Sequence, residues 1–494
     1  MTRSDLPLWT SEEAAAATDG ALPVGSGARW TAHGVSIDSR AVKPGDLFVA
    51  LAGEQTDGHR FVDAALKAGA AAAVVSRPIP GAGPDAPLLS VADTTEALVA
   101  LGSFARLRST ARIAAITGSV GKTGTKEALR QVLADQAPTT ATIGNLNNHF
   151  GVPLSLARLP SASRFGVFEV GMNHAGEIAP LSAQIKPHLA LISSVDAVHL
   201  EHFASVEGIA DAKAEIFTGM GPSGAAVLPR DNPHFPRLLA HARTQGLTRV
   251  LSFGADPASD ARLISYTLGA DGSDVEAEIL GNPVRYTLPV PGYHWVVNTL
   301  GVLLAAQVMG ASLERAVESL KSLSVPAGRG RRETLALAAD TPGGGADTFD
   351  LIDESYNASP VAVAAALKVL GAQTPKPGAR RIAILGDMLE LGPSSADLHR
   401  DLAPAAIDAA VDLVFTAGPM AAHISEALPE PMRGGHAKDS ASLAPIVAAA
   451  IRPGDIVMVK GSLGARMATI VQALRALGTD ANTGSGLRSH SGGR

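Results

Sequence analysis

In RIAAITGSVGKTGTKEAL an apolar run leads into Thr117, Gly118, Ser119, Val120 and Gly121, and then into a helical pattern beginning near Lys122. Glycines let backbone N–H groups approach phosphate oxygens, and a helix N-terminus adds positive potential. Lys122 supplies a point charge, and the Thr123 hydroxyl can ligate magnesium. The segment reads as a cradle for nucleotide phosphates, with an ordinary strand-to-helix turn as the alternative. Its two glycines stand closer together than in the standard loop.

Other chemistry-bearing residues follow apolar runs of the same kind. Glu169, in VFEVGMNHAGEI, ends a strand where an unpaired charge is costly, so either a divalent cation or a basic side chain must answer it. His199, in SSVDAVHLEHF, is either a ligand or a structural histidine. Lys213 lies four residues after Ile209 and three before Ile216, on the apolar face of a helix that Ser205 can cap. It is either a snorkelling surface lysine or a buried one whose charge is used by chemistry. Asn145, Asn147 and Asn148 crowd a glycine-flanked loop that is either solvent-exposed or functional. His294 and Asn298 stand one above the other at the start of a long apolar helix, where Asn298 can bond a purine or ribose, or the backbone. Arg329, Arg331 and Arg332 form either a phosphate-reaching hinge or a solvated basic linker. Asp353 ends a later strand, where it can meet a ribose or cap the next turn, with Tyr356, Asn357 and Pro360 after it. Asp387, Lys460 and Ser462 end further strands, and Lys460 is placed to meet a substrate carboxylate.

These residues need a scaffold, and 494 residues predict roughly three domains. Aromatics are only 4% of the chain, so its cores must be built from Ala, Val, Leu and Ile. The first hundred residues alternate short apolar runs (47–51, 72–76, 88–91) with Gly/Pro/Asp turns, as a small α/β domain does. From Arg112 longer strands (113–117, 166–170, 189–195) alternate with helical segments, which argues for a parallel sheet covered by helices. Ligands bind outside the carboxyl ends of such strands, so Lys122, Glu169 and His199 are expected to converge. After VPAGRGRRE the rhythm repeats (349–352, 381–385, 413–416, 455–459) as a Rossmann-like domain. The expected domains are 1–108, 109–325 and 326–478, with a disordered Gly/Ser-rich tail over 479–494.

Composition excludes several classes. A formal charge of −6 provides no positive field for a nucleic-acid backbone. The chain has no cysteine, which removes disulfides, thiolate nucleophiles and thiolate zinc sites. The N-terminus lacks the pattern of an export signal, so a cytoplasmic location is expected. The apolar stretch 296–313 is interrupted by Asn298, Thr299 and Gln307 and reads as a buried helix rather than a membrane span.

Together ITGSVGKTGTK, GNLNNHFGVP, EVGMNHAGEI, GYHWVVN, GRGRRE, DESYNASP, LGDMLELG and the earlier DSR and PGDLFVALAGEQTDGH segments resemble the Mur ligase family across nearly the whole chain. EVGMNHAGEI, DESYNASP and LGDMLELG are similar to its dipeptide-adding branch. The resemblance implies an ATP-dependent, ADP-forming, cytoplasmic ligase, active as a monomer. It joins D-alanyl-D-alanine to UDP-N-acetylmuramoyl-tripeptide through an acyl phosphate, for the peptidoglycan cell wall. It implies that Lys122 and the loop backbone bind phosphates, and that Thr123 and Glu169 hold one magnesium. His199 and a carbamylated Lys213 hold a second. Asn298 meets the adenine, Arg329 the phosphates and Asp353 the ribose. Ser39 and Arg40 take the uridine-diphosphate end, with Asn145 and Asn148 along the precursor. Tyr356, Asn357 and Lys460 lie on the D-alanyl-D-alanine side. Gly124 and Ser359 depart from the family's usual threonine and asparagine, and neither is an expected ligand. The competing readings are another Mur-type ligase, a folylpolyglutamate synthetase-like ligase, which lacks the DSR-bearing first domain, and a P-loop switch without ligase activity.

Overall fold

Short runs of Ala, Val, Leu and Ile, each closed by a glycine or polar cluster, form strands because small and β-branched side chains pack both faces of a parallel sheet. The computed structural model describes residues 7–23, 29–53, 56–198, 200–326, 328–337 and 347–479. His199 therefore lies outside the described residues, as does the expected tail beyond Thr479. The chain divides into two compact units, one of Met1–Ser194, Ala210–Arg262 and Gly301–Ser319, the other of Val195–Ile209, Leu263–Leu300 and Leu320–Arg494.

In the first unit, β1 (Gly34–Ser36), β2 (Asp46–Val49), β3 (Ala72–Val75) and β4 (Leu88–Ser90) lie side by side in chain order, all parallel. Helix α1 (Thr94–Arg108) follows, capped by the Asp93 carboxylate, which accepts from the Thr95 and Glu96 amides. A second parallel sheet contains β5 (Arg112–Thr117), β6 (Thr139–Ala141), β7 (Phe165–Glu169), β8 (Leu189–Ile192), β9 (Ala225–Pro229) and β10 (Arg249–Gly254). Their spatial order is β10-β9-β8-β5-β7-β6. Because β7 flanks β5 on one side and β8 on the other, a topological switch point falls at the carboxyl end of β5. Helices α2 (Lys122–Ala134), α3 (Ile178–Ile185) and α4 (Val206–Ala214) follow β5, β7 and β8. The expected strand 189–195 is shorter. After Ile192 the chain leaves the ladder so that Ser193 and Ser194 can bond the glycine turn.

The second unit contains an antiparallel hairpin of β11 (Ser273–Ile279) and β12 (Asn282–Leu288). Leu280 and Gly281, both at positive φ, make the two-residue turn that suits a right-twisted pair. The sequence reading missed this hairpin by looking for parallel strands only. Helix α5 (Tyr293–Val308) begins soon after it. No helix among the described residues is long and apolar enough to cross a membrane. The last sheet holds β13 (Arg331–Ala336), β14 (Thr348–Glu354), β15 (Arg381–Gly386), β16 (Leu413–Ala417), β17 (Arg433–Ala437) and β18 (Ile456–Lys460), ordered β13-β14-β18-β15-β16-β17. Only β13 runs antiparallel, beside β14. Leu351, Ile382, Ile384, Val457 and Val459 pack on one face, and Ile352, Ala383, Leu385 and Met458 on the other, as a two-residue period requires.

One buried histidine anchors the LGDMLELG turn of this unit. His399 accepts from the Met388 amide through Nε2 at 2.9 Å, and its Nδ1 meets the Ser395 carbonyl at 2.7 Å. Burial pushes its pKa down, against the Ser395 carbonyl and Asp387. The unfolded chain therefore binds this proton more readily than the folded one. The contribution to stability is fully present above the ordinary histidine pKa of about 6.5 and is lost as pH falls toward the lowered folded value. Melting followed from about pH 8 to about pH 5.5 should show a smaller pH-dependent loss in His399→Asn than in the parent chain.

Candidate active site

Glu169 ends β7 opposite Ile116 of β5, one residue before Thr117 opens the glycine turn. Its side chain is buried, at 1% exposure. Asn147 Nδ2 donates to Oε1 at 2.8 Å, and the Glu169 amide donates to Thr142 Oγ1 at 3.1 Å. Oε2 is buried and has no hydrogen-bond partner among the described residues. Such a group costs about 1–3 kcal/mol. Of the two options open from sequence, the salt bridge is not formed among the described residues. A divalent cation fits the remaining oxygen, with the Thr123 hydroxyl in the first turn of α2 as a second donor. Magnesium typically takes one or two protein ligands and completes its shell with phosphates and water. Among the described residues no three His, Asp or Glu side chains form a closed metal cage.

The glycine turn is built for close backbone approach. A Cβ on Gly118 would stand 2.0 Å from Ser193 Oγ and 3.0 Å from the Ser194 amide. The Ser119 amide donates to the Ser194 carbonyl at 2.9 Å and the Val120 amide to Ser194 Oγ at 3.0 Å. Ser193 Oγ donates to the Val120 carbonyl at 2.6 Å. Gly121 takes φ +86° as the N-cap of α2 and offers no side chain to the helix's first amides. These amides and the positive helix end form an anion site. Lys122 Nζ donates to the Gly118 carbonyl at 2.7 Å, which folds the ammonium over the turn.

Lys213 lies near the end of α4 and is 2% exposed, so it is not a snorkelling lysine. Ser205 Oγ accepts from the Gly208 amide at 3.4 Å, as the capping pattern predicts. Two residues beyond Lys213, the Glu215 carboxylate accepts from the Gly176, Ile178 and Ala179 amides at 2.6, 3.1 and 3.1 Å. That carboxylate ties the end of α4 to the start of α3, in the segment following Glu169. Asn145 is exposed, and Asn148 Oδ1 accepts from the Phe150 and Gly151 amides at 3.2 and 2.9 Å. The residue that reaches Glu169 is Asn147, which sequence reasoning passed over. In the first sheet, Asp38 caps the turn at Ser39 and holds exposed Arg40 through two bonds of 2.9 and 2.8 Å.

The second unit gathers the later motifs. The Arg329 guanidinium lies 4.2 Å from the Tyr356 ring centroid, a cation–π contact. Arg331 and Arg332 instead pair with carboxylates, Arg331 with Glu333 and Arg332 with Asp271 and Asp350. Both lie in β13, where the sequence left a hinge or a solvated linker open. The Gly330 amide donates to the Asp353 carbonyl at 2.8 Å, and the Tyr356 amide to the Gly328 carbonyl at 3.1 Å. Asp353 accepts from Ser355 Oγ at 2.6 Å and from Arg475 at 3.2 Å, as a turn cap with an ion pair. Lys460 is 4% exposed and donates to Glu354 at 3.0 Å and to the Asn357 carbonyl at 3.1 Å. Partly buried His294 is pushed down by burial and by the Lys460 ammonium, with Glu354 opposing. Asn298 follows one turn later in α5, half-buried.

Comparison with known proteins matches these parts in turn. Residues 31–106 fit the model for the Mur ligase family catalytic domain, 116–306 that for the Mur ligase middle domain, and 343–463 that for the Mur ligase glutamate ligase domain. The UDP-N-acetylmuramoyl-tripeptide–D-alanyl-D-alanine ligase of Escherichia coli is 36% identical over 457 residues, covering 92% of this chain and 96% of that protein. The crystal structure of MurF from Acinetobacter baumannii superposes with a TM-score of 0.79 at 31% identity, over 95% of this chain and 100% of that one. MurF ligase from Thermotoga maritima in complex with ADP gives 0.74 at 25% identity, over 90% and 98%. Matched along nearly its whole length, and sharing the three-domain α/β architecture, the chain belongs to the Mur ligase family.

Proposed function

We infer that this chain joins D-alanyl-D-alanine to UDP-N-acetylmuramoyl-tripeptide at the expense of ATP, releasing ADP and phosphate for peptidoglycan synthesis. The whole-length likeness to ligases of that name supports the substrates. The observation that carries the chemistry is the half-satisfied Glu169 carboxylate beside a glycine turn and helix N-terminus. Mur ligases use ATP and magnesium.

A carboxylate is a poor electrophile, so the tripeptide's terminal carboxylate must first take the γ-phosphoryl group. The resulting acyl phosphate is attacked by the dipeptide amine, and phosphate leaves. Lys122 and the first amides of α2 hold and orient the phosphates for this transfer. Thr123 and Glu169 hold a magnesium, which neutralises charge on the transferring group. His199 and Lys213 hold a second, with Lys213 carrying a carbamate formed from CO2 with loss of a proton. Arg329, kept in place by Tyr356, meets the nucleotide phosphates. Asn298 meets the adenine. Asp353 faces the ribose through the oxygen it shares with Arg475. Ser39 and Arg40 take the uridine-diphosphate end, and Asn145 and Asn148 line the precursor's path. Tyr356, Asn357 and Lys460 shape the dipeptide side, where Lys460 acts with Glu354 rather than as a free charge. The domains are 1–108, 109–325 and 326–478, and the enzyme works as a cytoplasmic monomer.

Phosphate release from ATP should require both the UDP-tripeptide and D-alanyl-D-alanine. Release at the full rate with neither present would leave an NTPase in place of a ligase. Glu169→Gln keeps the shape and the Asn147 bond but removes the charge, so turnover should fall by about 100-fold or more, with the melting temperature unchanged or raised. Lys213→Ala should abolish ligation and regain part of it when acetate or another short carboxylic acid is added. An unaltered rate in that variant would assign Lys213 to packing alone.

A further inference from the structure

Four residues beyond Lys122, on the same side of α2, lies a second lysine that the site described above does not use. Lys126 is wholly buried. Its Nζ donates to the Thr142 carbonyl at 2.8 Å and to the Gly144 carbonyl at 3.4 Å, and pairs with Glu127 at 2.6 Å. An ammonium has three donors, and three acceptors surround this one. Such a cation is not needed to fill space, since a methionine fills the same volume without desolvating a charge. What the ammonium adds is direction, because it fixes two backbone carbonyls of the segment that leads to Asn147.

That segment is tied to Glu169 at several points. Thr142 donates its amide to the Val167 carbonyl at 3.0 Å and accepts the Glu169 amide on its hydroxyl at 3.1 Å. The Asn147 carbonyl accepts from the Gly171 amide at 2.8 Å, and its side chain donates to Glu169 Oε1 at 2.8 Å. Lys126 therefore holds the near end of the segment and Gly171 the far end, with Glu169 gripped between them at its backbone and at one oxygen.

We propose that Lys126 is a positioning residue for Glu169: by pinning the Thr142 and Gly144 carbonyls it sets Asn147 against Oε1, so that Oε2 is the oxygen presented to magnesium. The proposal rests on Glu169 as a magnesium ligand. Partners of this kind, one bond removed from a metal ligand, typically change metal affinity by 10–100-fold when lost.

The test uses the full chain, the ATP analogue AMP-PNP and magnesium chloride, with thermal stabilisation as the readout. Lys126→Met should raise the magnesium concentration for half of the analogue-dependent stabilisation by about tenfold or more. The affinity for AMP-PNP in EDTA should stay within about twofold, because the phosphate turn is untouched. Asn147→Ala should have the same effect, and the double variant should be no worse than either single one. Should Lys126→Met fail to fold, Lys126→Gln carries the test, since its amide can still reach one carbonyl; a smaller shift in the same direction is expected. An unchanged magnesium requirement in the folded variant, or an equal loss of affinity in EDTA, overturns the proposal. Glu169→Gln separates the two readings. If it shifts the magnesium requirement and the Lys126 variants do not, the positioning role alone fails. If it does not shift it, the metal reading fails and takes the proposal with it.

Discussion

A carboxylate buried at the end of a parallel strand is tolerated only while both of its oxygens are answered. In this chain Asn147 answers one oxygen of Glu169, and among the described residues nothing answers the other. The surrounding architecture follows from that asymmetry. The strand carrying Glu169 lies beside the one that feeds the glycine turn, so the bare oxygen and the turn share one end of one sheet. Ser193 and Ser194, just past the end of β8, fix the turn's shape through their hydroxyls, and Gly118 is needed because a Cβ would strike them. Each of these departures from regular structure would be a defect in a purely structural domain. Around a metal-bound triphosphate each has a use.

The second unit follows the opposite rule, in that its buried charges answer one another. Glu354 and Lys460 face each other across neighbouring strands in register, and Asp353 divides its oxygens between Ser355 and Arg475. A ligand that recruits any of these groups must share it or displace its partner. The charges thus hold the DESYNASP turn in place more than they offer free binding energy. Arg329 differs from its neighbours because an aromatic face, not a carboxylate, holds it, so its positive charge is not neutralised within that contact.

Strand identity was legible wherever a run of small and β-branched residues ended in a glycine or polar cluster, which covers β5, β7 and all the parallel strands expected in the last sheet. The glycine turn was legible because backbone geometry demands glycine at Gly118 and Gly121. Glu169 was legible as a charge out of place. The antiparallel β13 was not, because its first three residues, Arg331, Arg332 and Glu333, are all charged and hide the alternation, while their partners, Asp350 on β14 for Arg332 and Arg475 for Glu333, lie far off in sequence. Asn147 was passed over among three asparagines, since nothing local distinguishes the one whose side chain turns inward. Lys126 carried no reading of its own in the sequence. Its acceptors are carbonyls of a segment 16 and 18 residues away, which no short-range periodicity reveals.

Charge balance shows why these two kinds of residue occur together. To a triphosphate the cradle would offer one lysine, the first amides of α2 and the partial charge of a helix end, roughly half an elementary charge. Glu169 contributes an anion at the same place, and the phosphates bring several more. Without a cation such a site would hold a triphosphate less tightly, so binding and magnesium would be coupled. The same balance rules out answering Glu169 with a lysine, because a fixed ammonium would cancel the charge the metal needs. A lysine one step removed, spent on backbone carbonyls and on Glu127, can order the carboxylate without neutralising it. The placement of Lys126 satisfies that requirement, whereas an ion pair made directly to Glu169 would not.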